Sequence, residues 1–359
     1  MTATMDALFI LKRREDYGAD PSFGNSYQIA TGMWNSAMFM VQELNRRGLV
    51  TDIDMVIDGN GIDAVVTTGN PKIVVLEGIW VTPAKLAELM SLGRHAGRIW
   101  VTRVHSEIPF LAGEGIAMEW IAQYLALGGI VAPNAPRAHD QLRAFAHSLG
   151  FTSEQINELL PMLPNCFPTD FRPITSAELD TSSKPVLDIA CFGAYRPLKN
   201  HLQQALIAIR FAESLGKTVR FHVNNRQDSG GAPVYKNVLK TFEALPAGSH
   251  ELVLHPWENR ETFLSSLEQT DLLMQLSFSE TFNIVAADAT WVGRPVLASA
   301  EIPWLYPITG EPANHLQSLK ALETIWSNKS FFINQNRTRL RAYANRSGDI
   351  WERYVLARV

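Results

Sequence analysis

Two carboxylates eight residues apart, Glu280 and Asp288, stand in the segment Ser277-Phe278-Ser279-Glu280-Thr281-Phe282-Asn283-Ile284-Val285-Ala286-Ala287-Asp288-Ala289. An apolar run of β-type residues, Leu272-Leu273-Met274-Gln275-Leu276, comes immediately before them and predicts a strand. A strand, a polar loop and a helix start together make a ligand site. The first N–H groups of a helix lack intrahelical partners and carry the positive end of its dipole. With Glu280 in the loop and Asp288 on the helix face, both acids can reach one ligand, whose phosphates would rest on the amides of Thr281, Phe282 and Asn283. That chemistry suits a nucleotide sugar. The plainer alternative is a strand–helix unit of any α/β protein with two ordinary surface acids.

The elements that would hold these residues alternate along the chain, short β-type runs with helical patterns, as in parallel sheets with crossover helices. Ala7 to Leu11 is a first strand, followed by a long polar loop and a helix from about Thr31. That helix keeps Met33, Ala37, Met40, Val41 and Leu44 on one face and stops at Gly48. Further strands are expected at Met55–Ile57, Ile73–Leu76, Ile99–Val104 and Gly129–Val131, with Thr82-Pro83 opening a helix between them. A second series runs through Val186–Cys191, Val219–Val223, Leu252–Leu254, Leu272–Leu276 and Val296–Ala298. Between the series, Leu163 to Pro173 holds three prolines and reads as a linker. The expected domains are therefore 1–165 and 166–333, with a C-terminal helix over 334–359.

A chain of 359 residues exceeds what one core usually holds. Hydrophobic content of 46% with 19% charged residues describes an ordered globular protein, and no apolar stretch approaches membrane-spanning length. Cys166 and Cys191 are the only cysteines, which supports neither a disulfide scaffold nor a four-ligand zinc site. The location expected is cytoplasmic. A net charge of −4 argues weakly against a dedicated nucleic-acid binder. Asp58-Gly59-Asn60-Gly61 lacks the third glycine of a dinucleotide fingerprint, does not clearly open a helix, and reads as a turn. Asp52-Ile53-Asp54, which matches a metal-binding D-x-D, comes before a strand and reads as surface charge.

The Ser277–Ala289 segment, with Gly293-Arg294-Pro295-Val296 after it, resembles the E-x7-E motif of retaining GT-B glycosyltransferases. That group contains glycogen and sucrose synthases and many bacterial and phage enzymes. Thr281 and Asn283 stand where the family has glycines, and Asp288 where it has a second Glu. Asparagine is among the residues that tolerate a left-handed backbone. Gly193-Ala194-Tyr195-Arg196-Pro197-Leu198-Lys199-Asn200 looks like the family's G-R-x-x-x-x-K-G, with Asn200 at the last glycine and Arg196 the candidate replacement for the arginine. Lys199 near a helix start can pair with a diphosphate, and Arg196 can add a forked contact. Otherwise Lys199 is a solvated first-turn lysine. Val104-His105-Ser106-Glu107-Ile108-Pro109 resembles a strand-end V-H-D-x-x-P, although a lone loop histidine more often satisfies backbone groups. Gly32, at the start of the first helix, offers close approach to donor phosphates.

The resemblance implies an α/β GT-B architecture, two Rossmann-like domains facing each other across a cleft. It implies transfer of a sugar from a nucleoside diphosphate, UDP being the base expected, with retention of configuration and no metal or other cofactor. Lys199 and Arg196 would neutralise the leaving diphosphate, Glu280 would hold sugar hydroxyls, Asp288 the ribose, and His105 the sugar from the opposite wall. The acceptor is open: a glycan, a lipid carrier, a small molecule or modified DNA. The alternatives are a GT-B-fold nucleotide-sugar epimerase and a non-catalytic nucleotide-sugar-binding protein. Arg337, Arg339, Arg341, Arg346, Arg353 and Arg358 would form a cationic stripe for an anionic acceptor if they shared one exposed helix face, with Tyr343, Trp351 and Tyr354 as packing or stacking surface.

Overall fold

The structure is a computed structural model that describes residues 5–13, 31–228 and 230–359. The polar loop expected after the first strand falls in residues 14–30 and lies outside the described residues. The chain divides into two compact units, Met1–Pro168 with Tyr343–Val359, and Thr169–Ala342.

In the first unit, Met5–Lys12 (β1), Thr51–Val56 (β2), Pro71–Glu77 (β3), Ile99–Val104 (β4) and Ile130–Pro133 (β5) pair in parallel, in the order β2-β1-β3-β4-β5. Ala7 to Leu11 and Ile73 to Leu76 are buried without a break, as strands covered on both faces require. The helix Thr31–Arg46 buries Ala37, Met40, Val41 and Leu44, and Gly48 follows it at φ +89°. Thr82 accepts a hydrogen bond from the Lys85 amide and Pro83 opens the helix Pro83–Ser91.

In the second unit, Val186–Ala190 (β6), Thr218–Asn224 (β7), Glu251–His255 (β8), Leu272–Gln275 (β9) and Val296–Ala298 (β10) pair in parallel as β10-β9-β6-β7-β8. The chain steps outward from β6 through β7 and β8, then returns to the other side of β6 for β9 and β10. The loops leaving β6 and β9 therefore diverge from neighbouring strands, and such a switch point is where open α/β sheets bind ligands, at the carboxyl ends of the strands.

Three expectations change. Strand β2 begins at Thr51, so Asp52 and Asp54 lie inside it, on the exposed face of an edge strand. The Asp58–Gly61 segment does open a helix: Asp58 caps a 3-10 turn, Gly59–Gly61, which runs into the helix Ile62–Gly69. The last helix starts at Lys329 and ends at Leu356, and its residues from Tyr343 pack with the first unit.

Of the arginines expected to form a stripe, Arg339, Arg341, Arg346 and Arg353 are exposed, while Arg337 and Arg358 are partly buried. Arg337 is half-buried and donates to the carbonyls of Thr290, Arg172 and Trp291. Arg339 donates to Trp304, Arg341 to Thr169, Arg353 to Asp349 and Arg358 to Tyr354, in each case to a backbone carbonyl. Trp351 is fully buried, its ring centroid 5.3 Å from that of Phe9 and its Nε1 donating to the Pro164 carbonyl at 2.8 Å. Tyr354 is buried as well. These aromatics anchor the helix to the first unit's core. Among the described residues no helix is long and apolar enough to cross a membrane.

Candidate functional site

The switch point of the second unit carries the two loops singled out in the sequence. Lys199, in the 3-10 turn Pro197–Lys199 after β6, forms an ion pair with Glu280 in the loop after β9. Ser277 Oγ donates to the same Glu280 oxygen at 2.8 Å. The backbone joins the loops independently of that pair. The Phe278 amide donates to the Leu198 carbonyl at 2.8 Å and Asn200 Nδ2 to the Leu276 carbonyl at 3.2 Å. Gln204, on the helix His201–Ser214, accepts from the Leu276 amide at 3.0 Å and donates to the Lys199 carbonyl at 2.7 Å. Charge pairing therefore sits on a scaffold that fixes where the cation and the acid meet.

Two asparagines explain how the loops dispense with glycine. Among the described residues only Asn70, Asn200 and Asn283 have positive φ without being glycine, and the last two lie at 58° and 55°. Both stand where the resembling motif has glycine, and both adopt a left-handed backbone that asparagine tolerates. Asn283 adds what glycine cannot. Its Oδ1 caps the helix Ile284–Val292 at the Ala286 amide, and its Nδ2 donates to Gln275 Oε1, both at 2.9 Å. Gln275 in turn donates to the Phe192 carbonyl at 2.9 Å, which ties the β9 end to the loop after β6. Thr281 and Phe282 are buried between, and Trp304 Nε1 donates to the Phe282 carbonyl at 2.8 Å.

Arg196, on the same loop as Lys199, faces an acid of its own. Its guanidinium lies 3.4 Å from Asp228, which also faces Arg226 at 3.6 Å, and Arg226 covers the ring of Trp257 at 5.4 Å. These residues follow β6, β7 and β8, so two arginines, the carboxylate they share and an indole stand at the carboxyl edge of the sheet.

Asp288 lies on the helix Ile284–Val292 as expected, yet it is buried, and Arg260 Nη2 donates to its Oδ1 at 2.8 Å. Burial outweighs the attraction of Arg260 and pushes the carboxyl up to about 6. An acid raised in the folded state keeps its proton there after the unfolded chain has lost its own. The contribution to stability is thus intact below about pH 4 and is lost as pH rises through about 6. Asp288→Asn should therefore gain stability relative to the parent between pH 4 and pH 7, as denaturant unfolding across that range will show. A difference that stays flat with pH would mean that another group carries the titration.

In the first unit, a polar network that the sequence reading did not find surrounds His105. Glu77 and Arg103 are opposite each other in the β3–β4 register, and Arg103 Nη1 donates to Glu77 at 2.7 Å with both side chains fully buried. His105 Nε2 meets the other Glu77 oxygen, and its Nδ1 faces Asn134 Nδ2 at 3.2 Å. Both ring nitrogens thus have a partner within hydrogen-bond reach. Asn165, from the linker, accepts from Arg103 and from Asn134 Nδ2 (3.3 Å) and donates to Ser36 Oγ at 3.2 Å. Ser36 donates to the Gly32 carbonyl at 2.9 Å, so Gly32 is joined to the same chain of bonds. Burial alone would push Glu77 up, but the charges of Arg103 and His105 and their hydrogen bonds hold it at about 2. The available signal was a charged residue inside or ending an otherwise apolar strand, Arg103 in β4 and Glu77 after Ile73–Leu76.

No protein-family model and no curated protein matches the chain. Solved structures do. Sucrose-phosphate synthase from Thermosynechococcus elongatus matches with a TM-score of 0.65 at 12% identity over 98% of this chain and 99% of that one. The catalytic domain of starch synthase IV from Arabidopsis thaliana, bound to ADP and acarbose, matches at 0.69 and 10% identity over 98% and 100%. A trehalose-6-phosphate synthase studied for glycosyl transfer with retention matches at 0.64 and 9% identity over 98% and 99%. At such identities the likeness is one of architecture. The chain has the GT-B fold of two Rossmann-like units, matching structures of retaining GT-B glycosyltransferases.

Proposed function

We propose that the chain transfers a sugar from a nucleoside diphosphate donor, with Lys199 and Glu280 as the reacting site's charged pair. What supports this is one observation: the two side chains the motif brings to attention meet at the switch point, beside the start of the helix Ile284–Val292. Lys199, with Arg196 nearby on the same loop, takes the diphosphate, whose negative charge grows as the bond to sugar C1 breaks. Cations already in place stabilise that growth without a metal. Glu280 turns from Lys199 toward sugar hydroxyls once phosphate oxygens compete for the ammonium. The amides of Thr281, Phe282 and Asn283 take the phosphates.

Transfer proceeds with retention. The C1–oxygen bond to the diphosphate breaks with its electron pair going to phosphate. The acceptor oxygen bonds C1 on the same face, and its proton passes to the leaving phosphate oxygen. With both ring nitrogens engaged, His105 takes no part as acid or base in this reading. UDP is the first donor base to test, and the acceptor is a glycan, a lipid carrier, a small molecule or modified DNA.

The test is a thermal-shift panel of UDP-, ADP- and GDP-sugars, followed by mass spectrometry of the bound donor with cell-extract acceptors. A stabilising donor consumed to a glycosylated product, unchanged by EDTA, is the expected result. Restoration of lost activity by magnesium or manganese after EDTA would overturn the metal-free mechanism. Epimerised donor without acceptor would replace transfer by isomerisation, and binding without turnover would leave a binding protein.

A further inference from the structure

The resemblance assigns the second carboxylate of the motif to the ribose, and the geometry around Asp288 does not suit that assignment. The carboxylate is buried, one carbon shorter than the motif's glutamate, and already accepts from Arg260. Arg260 opens the helix Arg260–Glu268 after β8, at the carboxyl edge of the sheet, and its side chain is a quarter exposed against 3% for that of Asp288. Its guanidinium also lies over Trp291, 5.9 Å from the ring centroid. The group presented outward is thus a guanidinium fixed in place by a buried acid and an indole.

We infer that Arg260 contacts the nucleoside half of the donor and that Asp288 is its positioning residue, so this site does not read the ribose hydroxyls through a carboxylate. A carboxylate accepts hydrogen bonds from the two ribose hydroxyls and rejects a sugar lacking one. A guanidinium only donates, and it tolerates a missing hydroxyl or an added anionic group. The same exchange separates dinucleotide sites that hold a 2′-hydroxyl with an acid from those that accommodate a 2′-phosphate with an arginine. Arg226 and Arg196, on the loops after β7 and β6, stand at the same edge and share Asp228. The inference rests on the donor reading above.

Calorimetry with UDP and ADP and their 2′-deoxy counterparts tests it on the unmodified protein. Ribo- and deoxynucleotide should bind within about threefold of each other. Arg260→Gln should weaken all of them about tenfold or more. Asp288→Asn, whose amide oxygen still accepts from Arg260, should stay within about threefold. A loss of tenfold or more on removing the 2′-hydroxyl, or Asp288→Asn as damaging as Arg260→Gln, would return the ribose to Asp288 and overturn the inference while leaving the donor site standing. Lower melting temperature in Arg260→Gln with unchanged affinity would make the pair a structural staple and overturn it likewise. Failure of every nucleotide and nucleotide sugar to bind the parent would remove the donor reading and this inference with it.

Discussion

Glu280→Gln should lower the rate of sugar transfer about a hundred- to a thousandfold, the scale on which loss of one preorganised polar group acts on a transition state. The amide keeps an oxygen for Ser277 Oγ but no longer holds the Lys199 ammonium by charge. Folding should be little affected. The Phe278–Leu198, Asn200–Leu276 and Gln204 hydrogen bonds that join the two loops do not involve the Glu280 side chain. Denaturant unfolding should accordingly move by no more than about 1 kcal/mol, the usual worth of a single side-chain interaction. Lys199→Ala should raise donor KM and lower kcat together, because the charge it meets grows toward the transition state. The two changes are partners in one contact, so the double variant should lose less than the sum of the single losses. Near-parental turnover by Glu280→Gln, once a donor and acceptor are in hand, would remove Glu280 from the reacting site.

How far the sequence carried depends on what each feature needs. The strands of both sheets follow from local composition, because a strand buried on both faces must be apolar over its whole length, as Ala7–Leu11 and Leu272–Met274 are. The αL tolerance of Asn283 was also legible, since it depends on residue type alone, and the observed φ of 55° agrees. Position along the chain placed Lys199 and Glu280 in loops, but their meeting depends on β6 and β9 being neighbours, which is a property of strand order. Partner identity is harder still. Nothing in residue spacing says that Asp288 is answered by Arg260, 28 positions earlier, or that Glu77 is shared by Arg103 and His105. The arginines near the C-terminus show a related gap. Counting them gives a charge, whereas their hydrogen bonds to carbonyls of Thr290, Trp304 and Thr169 give a structural use.

Glu77→Ala should destabilise the protein by about 3–5 kcal/mol, because breaking a buried ion pair from one side leaves the other charge without compensation. Arg103 is fully buried, and apart from Glu77 it donates, among the described residues, only to the neutral oxygens of Asn165 and Leu163 while stacking 5.2 Å from the centroid of Trp351. Neither oxygen carries a full negative charge, so the guanidinium would be left without an anion in a low-dielectric interior. His105 would lose the Glu77 partner of its Nε2 in the same step. Glu77→Gln should cost less, since an amide still accepts from one partner, but it cannot serve both. The sign with pH follows from the lowered carboxyl. Ionised Glu77 contributes its stability above the usual glutamate range near 4.5, and that contribution falls away as pH drops toward about 2. Tryptophan fluorescence during urea unfolding is the natural readout, because Trp351 is packed on Arg103 and on Phe9 in the same unit. A loss below about 1 kcal/mol for Glu77→Ala at pH 7 would place it among ordinary surface ion pairs. It would also mean that the network through Asn134, Asn165 and Ser36 holds Arg103 and His105 without the carboxylate.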